Sequence, residues 1–298
     1  MAGLSTDGGG GNRILRFPLW FCVVTAALVA CSSQEEPARP ARPSKPARVA
    51  VSGSGTLVPL MKRLADHYQA DHPDETVALL PGTSTGGGVT GVRQGVLDVG
   101  LCSRRLSPEE QAGVRYSLLG YDLIVFGVHP SAKVSELSAE DLLGIYRGRI
   151  RNWSELGGVD RDILVLDRDE GESIKITLRR HFFGPDFPVV PSATVFLRAG
   201  DMAQALRTTP YAIGYAGRGE LRARALDLKI VPPRSRWPRP EEVVSGAYPL
   251  VIPLGIVTAP TPRPEAARFV EFLTGPQGRA VLDALGCFAA PPEAPRGS

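Results

Sequence analysis

The chain has 298 residues, 43% of them hydrophobic and 22% charged, with a formal net charge of +3. That composition excludes a disordered chain, a coiled coil and a collagen-like fibre, and the length allows a sizeable core or two lobes of about 100–150 residues each. The basic excess falls within residues 1–48, so residues 49–298 are neutral overall and offer no basic domain for nucleic acid.

The chain opens on an export signal. Arg13 and Arg16 precede a largely apolar run from Phe17 to Ala30, the length of a signal-peptide core and too short to span a bilayer. The run ends Leu28-Val29-Ala30-Cys31, which resembles a bacterial lipobox. Residues 1–30 are therefore expected to be a lipoprotein signal peptide and Cys31 the lipid-bearing residue; an ordinary signal peptide is the alternative. Several acyl chains on one cysteine give the firm anchoring that one chain does not. Residues 31–48 are rich in proline, small residues and charge, with little to bury, and read as an extended tether.

Beyond the tether, Arg48 to Ser52 reads as a short buried strand closed by Gly53-Ser54-Gly55-Thr56. Apolar residues at 57, 60, 61, 64, 65 and 68 follow the helical period, and His72-Pro73 ends that helix. Thr76 to Leu80 is a predicted strand, followed by a Gly/Thr/Ser loop, a short helix to Gln94 and a strand from Leu97 to Cys102. Ser107-Pro108-Glu109-Glu110 is a helix start, with Ser as cap and Pro at the first helical position. Tyr121 to Val128 is a strongly apolar strand, and Ser138 to Asp141 caps a helix running to Tyr146. Ile163 to Leu166 is a further strand and Glu172 to Phe183 a helix. Leu250 to Val257 is the last long strand, before helices over Pro264–Leu273 and Gln277–Leu285. Strands alternating with helices imply an α/β fold with mainly parallel sheets.

Three loops share one design, a strand, then glycine and hydroxyl residues, then a helix. They are Ser54-Gly55-Thr56, Thr83 to Gly88, and Arg168 to Ser173. Each aims free N–H groups and the positive end of a helix at whatever sits above the sheet, an arrangement suited to a small oxyanion. The four histidines form no metal-ligand spacing, so neither a metal nor a cofactor is expected. An oxidising compartment permits a disulfide between Cys102 and Cys287; two buried thiols are the other reading. Gly82-Thr-Ser-Thr-Gly86 satisfies a nucleophile-elbow pattern, but no histidine follows His181, so a serine hydrolase is a remote alternative and the chain reads as a non-enzyme.

From about Val49 to Phe288 the chain resembles the phosphate-binding components of bacterial ABC importers, which are two-lobed type II periplasmic binding proteins. Gly53-Ser-Gly-Thr-Leu-Val-Pro59, Gly95 to Arg104, Gly120 to Gly127, Leu142 to Trp153, Ala212 to Tyr215 and Tyr248 to Leu254 carry the resemblance in order and spacing. It implies lobe I over residues 49–120 plus 250–298, lobe II over 121–249, and two hinge crossings. Also implied are ABC permease partners, a monomer, and a place on the periplasmic or cell-surface side of a bacterial membrane. A tethered sensor or interaction lipoprotein on the same fold is the rival reading.

By position in that resemblance, Ser54, Thr56 and the N–H of Leu57 serve the first loop, Thr85 falls on a serine ligand, and Arg168 on the phosphate-clamping arginine. Ser103-Arg104 stands where some relatives have an acceptor aspartate. The third loop departs from the pattern: Glu172, Ser173 and Ile174 stand where Ser-Gly-Thr is usual. Three arrangements of Glu172 are open at this point. It faces solvent, it pairs across the cleft with Arg104, or the ligand is not phosphate.

Overall fold

The computed structural model describes residues 47–291; the signal segment, Cys31 and nearly all of the tether lie outside the described residues. In chain order the elements begin with β1 (Ala47–Gly53), α1 (Val58–Asp71), β2 (Glu75–Leu79), α2 (Thr85–Arg93), β3 (Val99–Cys102), α3 (Pro108–Gln111) and β4 (Arg115–Val128). Next come α4 (Ala139–Tyr146), β5 (Leu164–Arg168), α5 (Ser173–Leu178), β6 (Thr194–Phe196), α6 (Ala199–Thr208) and β7 (Ala212–Gly217). The chain continues through α7 (Arg218–Ala223), β8 (Lys229–Val231), α8 (Pro240–Val244), β9 (Val251–Thr258), α9 (Pro264–Thr274), α10 (Pro276–Ala284) and β10 (Phe288–Ala289).

The strands run in the order β2-β1-β3-β9-β4-β7-β5-β6, and β8 and β10 also pair with β4. The expectation of mainly parallel sheets is corrected. β1 is parallel to β2 and β3, and β5 to β6 and β7, but β9 is antiparallel to β3 and β4, and β4 to β7. The reason is β4. Its first half, Arg115 to Leu123, pairs with β9; its second half, from Ile124, pairs with β7. One long strand thus belongs to both lobes, and the chain returns along the stretch leading into β9.

The helical period of α1 buries Leu60, Met61, Leu64, Ala65 and Tyr68, with Tyr68 against Phe269 and Phe272 of α9. In the other lobe, Phe126, Tyr146 and Tyr215 pack edge to face or tilted, with ring centroids 5.4–6.1 Å apart. Each such ring contributes about 1.5–3 kcal/mol by leaving water. Trp153 is fully buried and donates its indole N–H to the Tyr211 carbonyl at 2.9 Å, a structural role. Ser107 and Ser138 both close capping boxes, with Glu110 and Asp141. The helix predicted to Phe183 is α5 followed by a π-helical turn, Arg179–Phe183.

Candidate functional site

β1 ends at Gly53, whose φ of 138° is open to glycine and whose missing Cβ leaves room for the Leu101 backbone. Ser54 N–H then donates to the Leu101 carbonyl at 2.9 Å and Thr83 N–H to the Gly53 carbonyl at 2.7 Å, which fastens the first two loops side by side. At the second loop Ser84 caps α2, accepting from Gly87 N–H at 3.1 Å, and directs Thr85 inward. The Thr85 hydroxyl accepts from Ser103 N–H at 3.1 Å. Ser103 Oγ in turn lies 2.9 Å from Ser173 Oγ at the start of α5, so the third loop joins the other two. A cavity of about 450 Å³ opens between them, with Ser54, Thr56, Thr85, Ser103, Arg168, Glu172 and Ser173 on its walls. Ser54, Thr56, Thr85, Ser103 and Arg168 are all buried.

Arg168 ends β5 and is only 4% exposed. Its Nε donates to the Phe196 carbonyl at 3.2 Å and its backbone N–H to the Tyr215 hydroxyl at 3.1 Å. That hydroxyl donates to Asp167 at 2.6 Å, and the other Asp167 oxygen accepts from Lys175 Nζ at 2.5 Å. Burial first, and the Asp167 charge second, push the Tyr215 phenol well above its ordinary value, so it stays a donor. A buried ion pair therefore bolts α5 to β5 beneath the guanidinium. A second buried carboxylate, Glu220, pairs with Arg224 at 3.3 Å, and Arg224 lines the same cavity. Burial raises Glu220 to about 7 against the opposing pull of Arg224 and Arg168. Asp122, on β4 where it passes between lobes, accepts from Gly219 and Glu220 N–H groups at 2.7 and 3.2 Å and is raised to about 6 by burial.

The family model for a PBP superfamily domain matches residues 40–277. The chain belongs to the PBP superfamily. Among curated PBP relatives, the phosphate-binding protein PstS of Borreliella burgdorferi is 26% identical over 90% of this chain and 96% of its own. That of Bacillus subtilis is 27% identical over 68% of this chain and 67% of its own. Among solved structures, a candidate phosphate ABC transporter substrate-binding protein from Clostridium perfringens, with bound phosphate, superposes with a TM-score of 0.65. Its identity is 22%, over 82% of this chain and all of that one. An ABC-type phosphate transport receptor from Vibrio cholerae gives 0.53 at 24% identity, over 80% and 99%. These likenesses show the PBP fold.

Within that PBP frame two site expectations change. The Leu57 N–H is taken up by the Ser54 carbonyl at 3.1 Å, closing the turn before α1, and its side chain is buried. Arg104 does not reach Glu172. Its guanidinium grips Glu110 at 2.6 Å through both nitrogens, because the capping box of α3 has already fixed that carboxylate beside it. The pairing pulls the Glu110 carboxyl down to about 2. Arg104 lines a neighbouring chamber instead of the cavity that holds Arg168.

Glu172 neither faces solvent nor pairs with Arg104. Its side chain is 13% exposed. One carboxylate oxygen accepts from Ile174 N–H at 2.8 Å and Lys175 N–H at 3.4 Å; the other lies 3.5 Å from both Arg168 and the Thr56 hydroxyl. An internal carboxylate thus occupies donors that an incoming oxyanion would use.

Ser84 is engaged as a helix cap, and the described residues lining the cavity include no histidine. Cys102 and Cys287 are both free and buried, each thiol pushed up chiefly by burial, Cys102 to about 12. Among the described residues no His/Cys/Asp/Glu group could hold a metal ion, and no helix is long and apolar enough to cross a membrane. Sequence reasoning missed Lys175, Asp167, Tyr215, Glu220 and Arg224. Only the charged pair of α5 and β5, eight residues apart, carried a local signal, Lys175 falling at an apolar position of its helix.

Proposed function

We propose that this chain captures inorganic phosphate, or a similar small oxyanion, between its two lobes and delivers it to the permease subunits of an ABC importer. The observation that carries this is the convergence of Thr56, Thr85, Ser103 and Ser173 hydroxyls with the buried Arg168 guanidinium on one cavity. Hydroxyls and a planar guanidinium are the donors a tetrahedral oxyanion needs, and a hydrogen bond to a charged group is worth about 1.5–3 kcal/mol. The donors come from both sides of the β4 and β9 crossings, so gripping the anion and closing the lobes are one event. The lobes are taken as residues 49–120 plus 250–298 and 121–249. Lipid attachment at Cys31 and the 31–48 tether would hold a monomer outside a bacterial membrane, within reach of the permease. The name PstS carried by the curated relatives supports this ligand class.

Thermal shift of the full chain against phosphate, arsenate, sulfate, molybdate and small carboxylates tests the reading. A ligand that binds only the folded state raises stability by RT ln(1 + [L]/Kd). Phosphate and arsenate should give the largest shifts; a panel in which a carboxylate leads and phosphate does nothing would overturn it.

A further inference from the structure

A second chamber, of about 590 Å³, shares Ser103, Gly171 and Ser173 with the first but has a different electrostatic character. In the first cavity Arg168, Arg198 and Arg224 face Asp169, Glu172 and Asp201, so the wall charges balance. The second is lined by Arg104, Arg105, Arg180 and His181, and no carboxylate stands among its described lining residues. Glu110 answers Arg104 from outside the wall. Arg105 donates to the Tyr121 hydroxyl at 2.8 Å, and among the described residues neither it nor Arg180 forms an ion pair. His181 is held below its ordinary value by desolvation and then by the neighbouring Arg180 and Arg234, the mark of crowded positive charge. Between these cations lie the buried Tyr121 and Tyr248, with Ile176 and Val251 beside them. Arg234, outside the lining itself, sits 5.9 Å from the Tyr248 ring centroid in the arginine-rich 232–248 segment.

A concave wall of one sign focuses its field on the space it encloses. Guanidinium forks at the edge select an oxyanion, and aromatic and aliphatic side chains behind them select an apolar body. We infer that this chamber is a second ligand site, adjoining the proposed phosphate cavity at Ser103 and Ser173, for an organic phosphate monoester whose phosphoryl group rests on Arg105 and Arg180 and whose body lies against Ile176 and Val251.

The probe is phenyl phosphate, titrated calorimetrically into the full chain alongside inorganic phosphate. Arg105→Gln combined with Arg180→Gln should weaken phenyl phosphate by about tenfold or more and leave inorganic phosphate within about twofold. Thr56→Val should do the reverse. Loss of phenyl phosphate in Thr56→Val alone would place it in the first cavity and overturn the inference, as would no binding to the parent chain. The two readings fail separately. Phosphate without phenyl phosphate sinks only this one, and arginine-dependent phenyl phosphate without phosphate sinks only the proposed function. Circular dichroism on the double variant confirms folding, which these exposed side chains should not affect.

Discussion

Glu172 holds its carboxylate 3.5 Å from the Arg168 guanidinium and, with the same oxygen, 3.5 Å from the Thr56 hydroxyl. The protein thereby keeps a built-in anion on the donors that the proposed ligand requires. Two unit charges about 4 Å apart interact by roughly 4 kcal/mol at a surface-like effective dielectric. A doubly charged oxyanion entering beside this carboxylate therefore forfeits the worth of one or two charge-assisted hydrogen bonds. Glu172→Ser keeps a helix-capping oxygen while removing the charge. Phosphate affinity measured by calorimetry should rise about tenfold. Unchanged or weaker binding would mean that Glu172 leaves the donors when the ligand arrives, or supports it.

The same carboxylate can discriminate. A phosphate that still carries a proton recovers part of that cost by donating a hydrogen bond to Glu172, whereas fully ionised sulfate brings only repulsion. The parent chain should therefore prefer phosphate to sulfate, and Glu172→Gln should narrow the gap chiefly by admitting sulfate. Equal preference ratios in both proteins would show that the selectivity lies elsewhere.

How far the sequence foretold this site depends on the range of the signal. The caps at Ser107 and Ser138 and the α1 stripe follow from spacing within a few residues, and each is present. The direction of β4 and β9 is a tertiary property. The first half of β4, with Arg115, Tyr116 and Ser117, lacks the apolar run that marks Tyr121 to Val128, so no local pattern marks it as strand. Arg104 illustrates competition between partners. Glu110 lies six residues away in a capping box legible from Ser107-Pro-Glu-Glu, a nearer claim than Glu172 across the cleft. Arg224 and Glu220 could not be foreseen, because nothing local ties them to Arg168, more than fifty residues earlier.

Lys175 is the residue on which the third loop's position rests. It is fully buried on α5 and reaches Asp167 at 2.5 Å, while Tyr215 bridges Asp167 to the Arg168 backbone. Removing one partner of a buried pair leaves the other charge uncompensated, at a cost of about 3–5 kcal/mol. Lys175→Met should thus lower the denaturant midpoint sharply, and Lys175→Met with Asp167→Asn should recover most of the loss. A single variant no less stable than the double would remove the pair from the account. Tyr215→Phe, which orphans the Arg168 N–H, should cost about 1–3 kcal/mol in the same titration.

Stability should also depend on pH through Glu220 and Asp122. Both are buried, and burial raises them to about 7 and about 6, above the values of roughly 4 that such carboxyls have in an unfolded chain. Across about pH 4 to 7 the folded state therefore binds more protons than the unfolded one, and unfolding free energy falls as pH rises. Glu110 and Glu242, lowered to about 2 by Arg104 and Arg236, act in the opposite sense but below that window, and the exposed His181, lowered by desolvation, opposes the trend within it. The melting temperature should accordingly be higher near pH 5.5 than near pH 7.5. Glu220→Gln cannot ionise, so it should flatten that slope even if it shifts the whole curve through loss of the Arg224 pairing. A variant whose melting temperature keeps the parent's slope across this range would show that Glu220 does not titrate there. The slope would then rest on Asp122, whose carboxylate receives two N–H groups at the start of α7.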